Sequence, residues 1–315
     1  MLQLCLGDFE EGWREYEWRC KVEHETYPDF GKPRWDGSER PNKTVLVYAE
    51  QGFGDTLQFI RYAVLVKQRV RRVILFCQKP LRQLLANVSG IDVWSFDLDN
   101  LPPFDMQIPL LSLPRIFRTT LATVPAGGPY ISADKDLVQH WKDQLGDMTG
   151  IRVGISWQGS ASYAQDQYRS IPVRHFAPLA DLPNVSLLSL QKGYGVEQIE
   201  QVRDRFEILE MGDDFDETAG PFMDTAAVMK NLDLFVTSDT AVAHLAGALG
   251  IRVWLALPSV PDWRWLLDRD DCPWYPTMRL FRQRRRGDWD EVFQRMRDEL
   301  QVAAPTWQLH GERRH

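Results

Sequence analysis

Residues 224–258, DTAAVMKNLDLFVTSDTAVAHLAGALGIRVWLALP, constrain the fold of this chain more than any other segment. The apolar run at 232–237 is rich in strand-forming residues and too short for a buried helix. Helix-starting residues follow at 238–240, and then a helix of small residues that Gly250 ends. A second apolar run covers 251–257. Two buried strands joined by one short helix predict a parallel β-α-β crossover.

The start of that helix is a candidate ligand site. Parallel sheets bind ligands at the carboxyl ends of strands, where helix N-termini offer unpaired N–H groups and partial positive charge. Ser238, Asp239 and Thr240 lie at such a place, and His244 follows Thr240 by one helical turn. The hydroxyls suit a phosphate, Asp239 suits ligand hydroxyls, and His244 can add a donor. The alternative is an ordinary N-cap followed by an ordinary helix histidine.

Composition bounds the class of protein. A chain of 315 residues with 44% hydrophobic content has room for two cores, and a net charge of −7 argues against a general nucleic-acid binder. Neither an 18-residue apolar run nor a signal-peptide pattern is present, so we expect a cytoplasmic protein, with peripheral membrane contact left open. The four cysteines form no CxxC pair, which predicts a reduced compartment and no metal site.

Strands and helices alternate twice along the chain. This pattern predicts an α/β fold of two Rossmann-like, doubly wound parallel-sheet domains that face a cleft. The predicted parts are an N-terminal helix and linker (1–43), a first domain (44–133), a second domain (134–302) and a loose tail (303–315).

The predicted strands are short apolar runs. In the first domain they cover 44–48, 73–77, 91–96 and an edge strand within 104–111. In the second they cover 151–157, 185–190, 206–210, 232–237 and 251–257, followed by a final helix at 289–300.

The turn after the first predicted strand carries EQGFGDT, residues 50–56. Gly52 and Gly54 predict a tight turn with close backbone approach, and Asp55 is predicted to be the N-cap of the next helix. A cap alone requires neither two glycines nor Gln51 at a strand end, so the turn is predicted to be functional. It is neither a dinucleotide fingerprint nor a P-loop.

Two further polar segments follow strands in the second half: SWQGS with the later YRS, and QKG. We expect their side chains to share one rim with Thr240, and cations on that rim would stabilise a diphosphate leaving group. Solvated surface is the alternative for each cation. The predicted rim residues are Ser156, Gln158, Arg169, Gln191 and Lys192.

A Pro-rich stretch after the last predicted strand is dense in aromatic residues: Trp263, Trp265, Trp274 and Tyr275. Such rings either pack between elements or form a stacking platform for a base or sugar. We expect packing for the set, with Trp263 on the acceptor side. The basic run at 282–286 is expected to be a solvated face, with attraction of an acidic acceptor as the alternative.

A resemblance covers about residues 8–302. The segments GDFEEGWREYEWR, EQGFGDT, SWQGS, LQKG and SDTAVAHLAGALG resemble bacterial tetratricopeptide-linked glycosyltransferase-like proteins. These proteins are related to the heptosyltransferase family, glycosyltransferase family 9, and more remotely to O-linked N-acetylglucosamine transferases. The resemblance implies a GT-B fold and a nucleotide-sugar donor held by the C-terminal domain, with no metal and no cofactor.

The resemblance also assigns roles to residues. It implies that Asp55 is the general base and that Asp239, Thr240 and His244 contact the donor sugar and diphosphate. The chain departs from the heptosyltransferase pattern at Ala241, where glycine is common, and in its first loop.

The expected function is therefore inverting, metal-independent transfer, hexosyl- or heptosyltransferase-like, from a nucleoside-diphosphate sugar to a hydroxyl of a glycan, lipid or protein. Three alternatives remain: a degenerate domain that only binds nucleotide sugars or protein partners, a nucleotide-sugar epimerase, and a metal-dependent transferase. The last would use Asp214 and Asp216 as a DxD motif.

Overall fold

The computed structural model describes residues 1–21, 28–146 and 148–311. Their contacts divide the chain into two units: Met1–Ser132 with Asp262–Asp268, and Ala133–Pro261 with Arg269–His315. The division at 132/133 lies one residue before the predicted start of the second domain. Two features differ from the prediction, because the N-terminal helix and the short segment 262–268 both belong to the first unit.

The first unit contains a parallel sheet whose strands are β1 (Arg40–Tyr48), β2 (Val70–Phe76), β3 (Val93–Ser95) and β4 (Met106–Pro109). Their order is β3-β2-β1-β4, with β4 at the predicted edge. Val45, Leu46 and Val47 are fully buried, as expected for a central strand covered on both faces. The helices are α1 (Leu2–Cys5), α2 (Phe9–Tyr16), α3 (Phe53–Phe59), α4 (Ala63–Lys67), α5 (Arg82–Leu85) and α6 (Leu113–Ile116), with 3₁₀ turns at Glu17–Lys21, Ile60–Tyr62, Lys79–Leu81, Leu110–Ser112 and Trp263–Trp265.

Helix α2, the predicted N-terminal helix, is amphipathic and packs as part of the first unit. Asp8 caps it by accepting a hydrogen bond from the Glu11 amide. Trp13 is 2% exposed, and its indole N–H donates to the Thr119 carbonyl at 3.1 Å. Helix α2 therefore has packing partners within the first unit. Part of the predicted linker, residues 22–27, lies outside the described residues.

The second unit contains five parallel strands: β5 (Ile151–Ser156), β6 (Val185–Ser189), β7 (Leu234–Ser238), β8 (Val253–Leu257) and β9 (Met278–Arg282). Their order is β6-β5-β7-β8-β9, so the crossover predicted from β7 to β8 is confirmed. The helices are α7 (Lys135–Leu145), α8 (Asp166–Arg169), α9 (Ala177–Ala180), α10 (Met223–Met229), α11 (Ala241–Ala248) and α12 (Trp289–Gly311), with 3₁₀ turns at Val173–Phe176 and Val196–Gln201.

Three sequence expectations differ in the second unit. The strand predicted at 206–210 is absent among the described residues, where Leu209 makes only an isolated bridge to Leu188. Strand β9 was not predicted, because it merges into the basic run. Helix α12 extends to Gly311 through most of the predicted tail, and residues 312–315 lie outside the described part. Its apolar face packs on the sheet, with Phe293 4.6 Å from Phe176 between ring centroids.

Candidate functional site

Both sheets reverse their strand order at a single point, and the predicted site segments follow the strands at these points. In the first sheet the reversal lies between β1 and β4, and the EQGFGDT turn follows β1. In the second it lies between β5 and β7, where Ser156 is in register with Thr237. Ligands of doubly wound sheets bind outside the carboxyl ends of strands at such switch points. Each unit therefore carries a candidate binding edge.

The turn after β1 is tight for a different reason than predicted. Its positive φ, +63°, belongs to Gln51, whereas Gly52 has an ordinary φ of −87°. Gly52 is the N-cap of α3, and Gly54 lies in its first turn. The Gln51 side-chain amide is directed to the Tyr16 hydroxyl at 3.5 Å. A non-glycine residue in the left-handed region stores strain of order 1–3 kcal/mol, and such strain clusters at functional sites.

Asp55 is not the N-cap, which corrects the sequence expectation. It is the third residue of α3, and Oδ2 accepts a hydrogen bond of 2.9 Å from the Gly52 amide. Oδ1 accepts from Nη2 of Arg264 in an ion pair. The Asp55 side chain is only 15% exposed. A carboxylate oxygen has two lone pairs, so each oxygen keeps capacity to accept a proton.

Burial raises the pKa of the Asp55 carboxyl above its ordinary value, while the Arg264 guanidinium and the Gly52 amide act to lower it. The neighbouring Asp262 carboxylate raises it further by like-charge repulsion. A helix N-terminus by itself lowers the pKa of a carboxyl and so weakens it as a base. Within the protein itself, burial already makes it more basic than a free aspartate.

Arg264 is the residue that sequence reasoning missed. It lies between two buried tryptophans, and its Nη1 donates to Asp262 while its Nε donates to Gln58, both at 2.8 Å. A signal was present in the PDWRW segment, because a cation between two core aromatic residues must find buried acceptors.

In the second unit, the hydroxyls of Ser238 and Thr240 are buried at the carboxyl end of β7. Ser238 is 0% and Thr240 8% exposed, and neither hydroxyl has a hydrogen-bond partner within residues 1–21, 28–146 and 148–311. Thr240 is the N-cap of α11, yet its side chain makes no capping bond. Buried hydroxyls are normally satisfied. Two such hydroxyls close to one helix start make this a candidate ligand site.

His244 and Asp239 flank these hydroxyls. His244 is buried, and its Nδ1 lies 2.9 Å from the Tyr275 hydroxyl. The ring of Tyr275 packs on Gly247, where an added Cβ would lie 2.4 Å from Cδ1. The small residues of α11 thus admit the tyrosine that orients the histidine. Asp239 is half-buried between Ser238 and Thr240.

Gln191 holds the loop after β5 in place rather than presenting a free amide. Its Oε1 accepts from the Ser156 hydroxyl and from the amides of Trp157 and Gln158, each at 3.0 Å. Its Nε2 donates to the carbonyls of Gln158 and Tyr194 at 3.1 and 2.8 Å. Ser156 and Gln191 are therefore brought together as predicted, but their polar atoms are bound to the protein.

The other rim residues also have protein partners. Gln158 donates to Asp166 at 3.0 Å and accepts from Gln198 at 2.9 Å. Arg169 donates from Nε to Asp166 at 3.1 Å, and Asp166 is itself 5% exposed.

The Lys192 side chain is more exposed to solvent than that of Arg169. It forms an ion pair of 2.9 Å with Glu217, and their side chains are 43% and 65% exposed. It also donates to the Phe215 carbonyl. Of the two predicted cations, Lys192 is the more readily released to a ligand, because its carboxylate partner is at the surface.

Trp263 is a packing residue, which corrects its placement on the acceptor side. It is 3% exposed, and its ring lies 5.3 Å from Trp13 and 5.5 Å from Tyr16. The other three aromatics of the stretch are also buried, so the expectation of packing for the set is confirmed: Trp265, Trp274 and Tyr275.

Asp216, one of the two metal ligands in the DxD alternative, is bound to other protein groups. Asp216 is 9% exposed, with Oδ1 accepting from the Thr225 amide at 3.0 Å and Oδ2 from the Thr225 hydroxyl at 2.5 Å. Burial raises the pKa of Asp216. Its carboxylate is thus committed to the start of α10. Among the described residues, no group of three or more His, Cys, Asp or Glu side chains is placed to hold a metal ion.

Within residues 1–21, 28–146 and 148–311, no helix has both the length and the apolar content to cross a bilayer.

Comparison with known proteins adds to this geometry. No protein-family model matches the chain. Protein FlbA of Caulobacter vibrioides is 24% identical over 324 residues, which cover 96% of this chain and 54% of FlbA. The chain thus spans about half the length of this relative.

Two solved structures are similar in fold. A glycosyl transferase of family 9 from Veillonella parvula has a TM-score of 0.61 and 12% identity, covering 86% of this chain and 99% of its own. The ADP-heptose lipopolysaccharide heptosyltransferase II of E. coli has a TM-score of 0.56 and 11% identity, covering 85% and 99%.

These likenesses show the fold. The chain has two parallel-sheet α/β domains, of four and five strands, that match GT-B glycosyltransferases of family 9. The predicted linkage to tetratricopeptide arrays and the remote relation to O-linked N-acetylglucosamine transferases stay predictions.

Proposed function

We propose that this chain is a glycosyltransferase that moves a sugar from a nucleoside-diphosphate sugar to an acceptor hydroxyl, with inversion at the anomeric carbon and without a metal ion. The observation that carries the proposal is the pair of unpartnered buried hydroxyls, Ser238 and Thr240, at the switch point of the second sheet. The matching fold of family 9 glycosyltransferases supports it.

The diphosphate of the donor is the group that best completes these hydroxyls. The first N–H groups of an α-helix have no partner within the helix, and the helix N-terminus attracts negative charge. A phosphate at the start of α11 would accept from those amides and from Thr240 Oγ1. Asp239, beside it, suits the hydroxyls of the donor sugar.

Lys192 is the cation we assign to the leaving diphosphate. Its exposed ion pair with Glu217 contributes at most about 1 kcal/mol, so exchanging that partner for a diphosphate costs little. Arg169 is less free, because Asp166 is buried and would lose its counter-charge. Positive charge on the diphosphate stabilises the transition state without a metal.

The chemical step uses Asp55 as general base. Its carboxylate accepts the proton of the acceptor hydroxyl as that oxygen bonds to the anomeric carbon. The bond from that carbon to the diphosphate oxygen breaks on the opposite face, and the nucleoside diphosphate leaves with the electron pair. A pKa raised by burial makes the carboxylate a better proton acceptor.

Binding without turnover is the second candidate function. The observation that favours it is the ion pair of Asp55 with Arg264, which occupies one lone pair of the proposed base. The two candidates share the donor site and differ only in the chemical step.

Calorimetric titration with ADP, chosen because a structural neighbour is an ADP-heptose enzyme, tests the donor site. We expect Thr240→Ala to weaken ADP binding about 10- to 100-fold, as for loss of a hydrogen bond to a charged group. Thr237→Ala is the matched control, since that hydroxyl is buried but donates to the Ser238 carbonyl at 3.2 Å. Unchanged ADP affinity in the Thr240 variant would move the phosphate elsewhere.

Turnover then separates the two functions. Incubation with ADP-sugars and a panel of hydroxyl acceptors should release ADP, and NMR of the product should show inverted anomeric configuration. Tight donor binding with no ADP release would favour the binding function.

A further inference from the structure

Arg264 is bound by three acceptors that come from two parts of the chain. Nε donates to Gln58 and Nη1 to Asp262, both at 2.8 Å, and Nη2 donates to Asp55, 209 residues away in sequence. The planar guanidinium fits such a divergent set, whereas the single ammonium of lysine does not. Loss of any one acceptor would leave the other two in place.

The backbone that carries Arg264 is held by an aromatic cluster. Trp263 packs with Trp13, Tyr16 and Phe59 at centroid distances of 5.3, 5.5 and 6.4 Å. The Arg264 guanidinium lies 4.5 Å from the Trp263 ring centroid. The buried face of α2 therefore fixes the arginine that meets Asp55.

The charges in this network do not cancel. One guanidinium serves two carboxylates, Asp55 and Asp262, so one negative charge remains. Tyr16 is another titratable group nearby, and burial raises its pKa to about 12, so it stays neutral. The cation Arg61 is also close in the fold, since its Nε donates to the Gln58 carbonyl at 2.7 Å. Beyond Tyr16, Arg19 and Glu50 pair with each other at 2.6 Å. A fully neutralised pair would make a poor base, and an isolated buried carboxylate would be protonated.

We propose that Arg264 is the positioning residue of the base. Its guanidinium holds the Asp55 carboxylate ionised and in one orientation. Asp262 shares the same guanidinium and so weakens the stabilisation that Arg264 gives to Asp55. The catalytic consequence of this arrangement rests on the proposed glycosyl transfer. The electrostatic part does not, and it can be measured without turnover.

The test is the titration of Asp55, followed by ¹³C NMR of aspartate-labelled protein and assigned by its absence in Asp55→Asn. Arg264→Gln should raise the midpoint by about 1–3 pH units, the usual effect of losing an adjacent arginine. Asp262→Asn should lower it, because the guanidinium then serves Asp55 alone. This second variant keeps an acceptor for the Arg264 amide and gives a shift of opposite sign even if Arg264→Gln folds poorly.

Arg61→Gln is the matched control. Arg61 is also buried, and its Nε donates to the Gln58 carbonyl and its Nη2 to the Tyr130 hydroxyl, both at 2.7 Å. It should lower the melting temperature and leave the Asp55 midpoint unchanged. An Asp55 midpoint that is the same in wild type, Arg264→Gln and Asp262→Asn would overturn the proposal.

Kinetics extend the test. Arg264→Gln should reduce kcat about 100-fold or more near neutral pH with the KM for donor unchanged, and move the acid limb of kcat/KM upward with the NMR midpoint. Arg264→Lys should keep the acid limb near its wild-type position and still reduce kcat, because orientation is lost. Shifted midpoints in a protein whose wild type shows no transfer would uphold the positioning role and reject the proposed function.

Discussion

The Gly52 amide and the Asp55 carboxylate close the first turn of α3 by a hydrogen bond of 2.9 Å. The carboxylate reaches back from the third helical position and leaves its other oxygen to Arg264. Asp55 thus joins a helix start to a buried ion pair, and a substitution there changes both.

Asp55→Asn should cut single-turnover rate by about 10²–10⁴-fold, the usual size of general-base catalysis. It should also destabilise the fold by about 1–3 kcal/mol, since one amide oxygen cannot serve both Gly52 and Arg264. Adding Arg264→Gln supplies an acceptor for the asparagine N–H₂. The double variant should not recover the rate. Normal single-turnover chemistry in a folded Asn variant would exclude Asp55 as the base.

The pH dependence of transfer follows from the raised pKa of Asp55. The base works only when ionised, so kcat/KM should fall as pH drops through a folded-state pKa above the ordinary value of about 3.9. The same group binds its proton more tightly folded than unfolded, so its contribution to stability decreases as pH rises through that range. A pH–rate profile measures the acid limb of kcat/KM. A limb at the ordinary aspartate value would contradict the burial effect.

Gln191→Ala should destabilise the second unit and weaken ADP binding indirectly, because the Gln191 side chain bonds to the protein and is not expected to contact the nucleotide. It would leave the Trp157 and Gln158 amides without their acceptor, at about 1–3 kcal/mol for a buried unpaired group. Thermal unfolding with and without ADP measures both effects. Gln139→Ala on the exposed face of α7 is the control and should change stability by less than about 0.5 kcal/mol. Equal effects of the two changes would reject the holding role of Gln191.

Transfer should be insensitive to EDTA, since Asp216 is committed to Thr225. Asp216→Asn should lower the melting temperature, because one of the two bonds to Thr225 is lost, and leave the rate per folded molecule unchanged. Activity assayed after chelation, and again with added Mn²⁺ or Mg²⁺, checks this. A metal requirement in the wild type, together with loss of the metal-supported activity in the Asn variant, would revive the DxD alternative.

Trp13→Ala should destabilise the first unit by about 3–5 kcal/mol, the range for removing a large buried aromatic. The 3₁₀ turn directly after α2 offers a control in Trp18, which is 59% exposed, so that Trp18→Ala should change stability by less than about 0.5 kcal/mol. Chemical denaturation of both variants gives the comparison. A Trp13→Ala variant as stable as the wild type would show that the packing of α2 does not stabilise the first unit.

The sequence by itself determined the elements whose signal is local. The sequence predicts the apolar runs at β1, β5, β7 and β8, the small-residue helix α11 and the N-terminal helix α2, because their periodicity and flanking residues lie within a few positions of one another. Strand ends also located Asp55 and Thr240 at the edges of the two sheets. The run at 206–210 was assigned wrongly, since a short apolar run does not show whether a neighbouring strand will pair with it.

Tertiary structure alone decided which side chains meet. The pairing of Asp55 with Arg264 joins residues 209 positions apart, and four hydrogen bonds of the Gln191 side chain reach back over thirty positions to the end of β5 and the loop after it. Local propensity carries no record of such contacts, because they depend on strand order and on how α2 packs on Trp263. Burial set the basicity of Asp55 in the same way: the carboxylate is visible in the sequence, but the removal of water around it is a property of the fold.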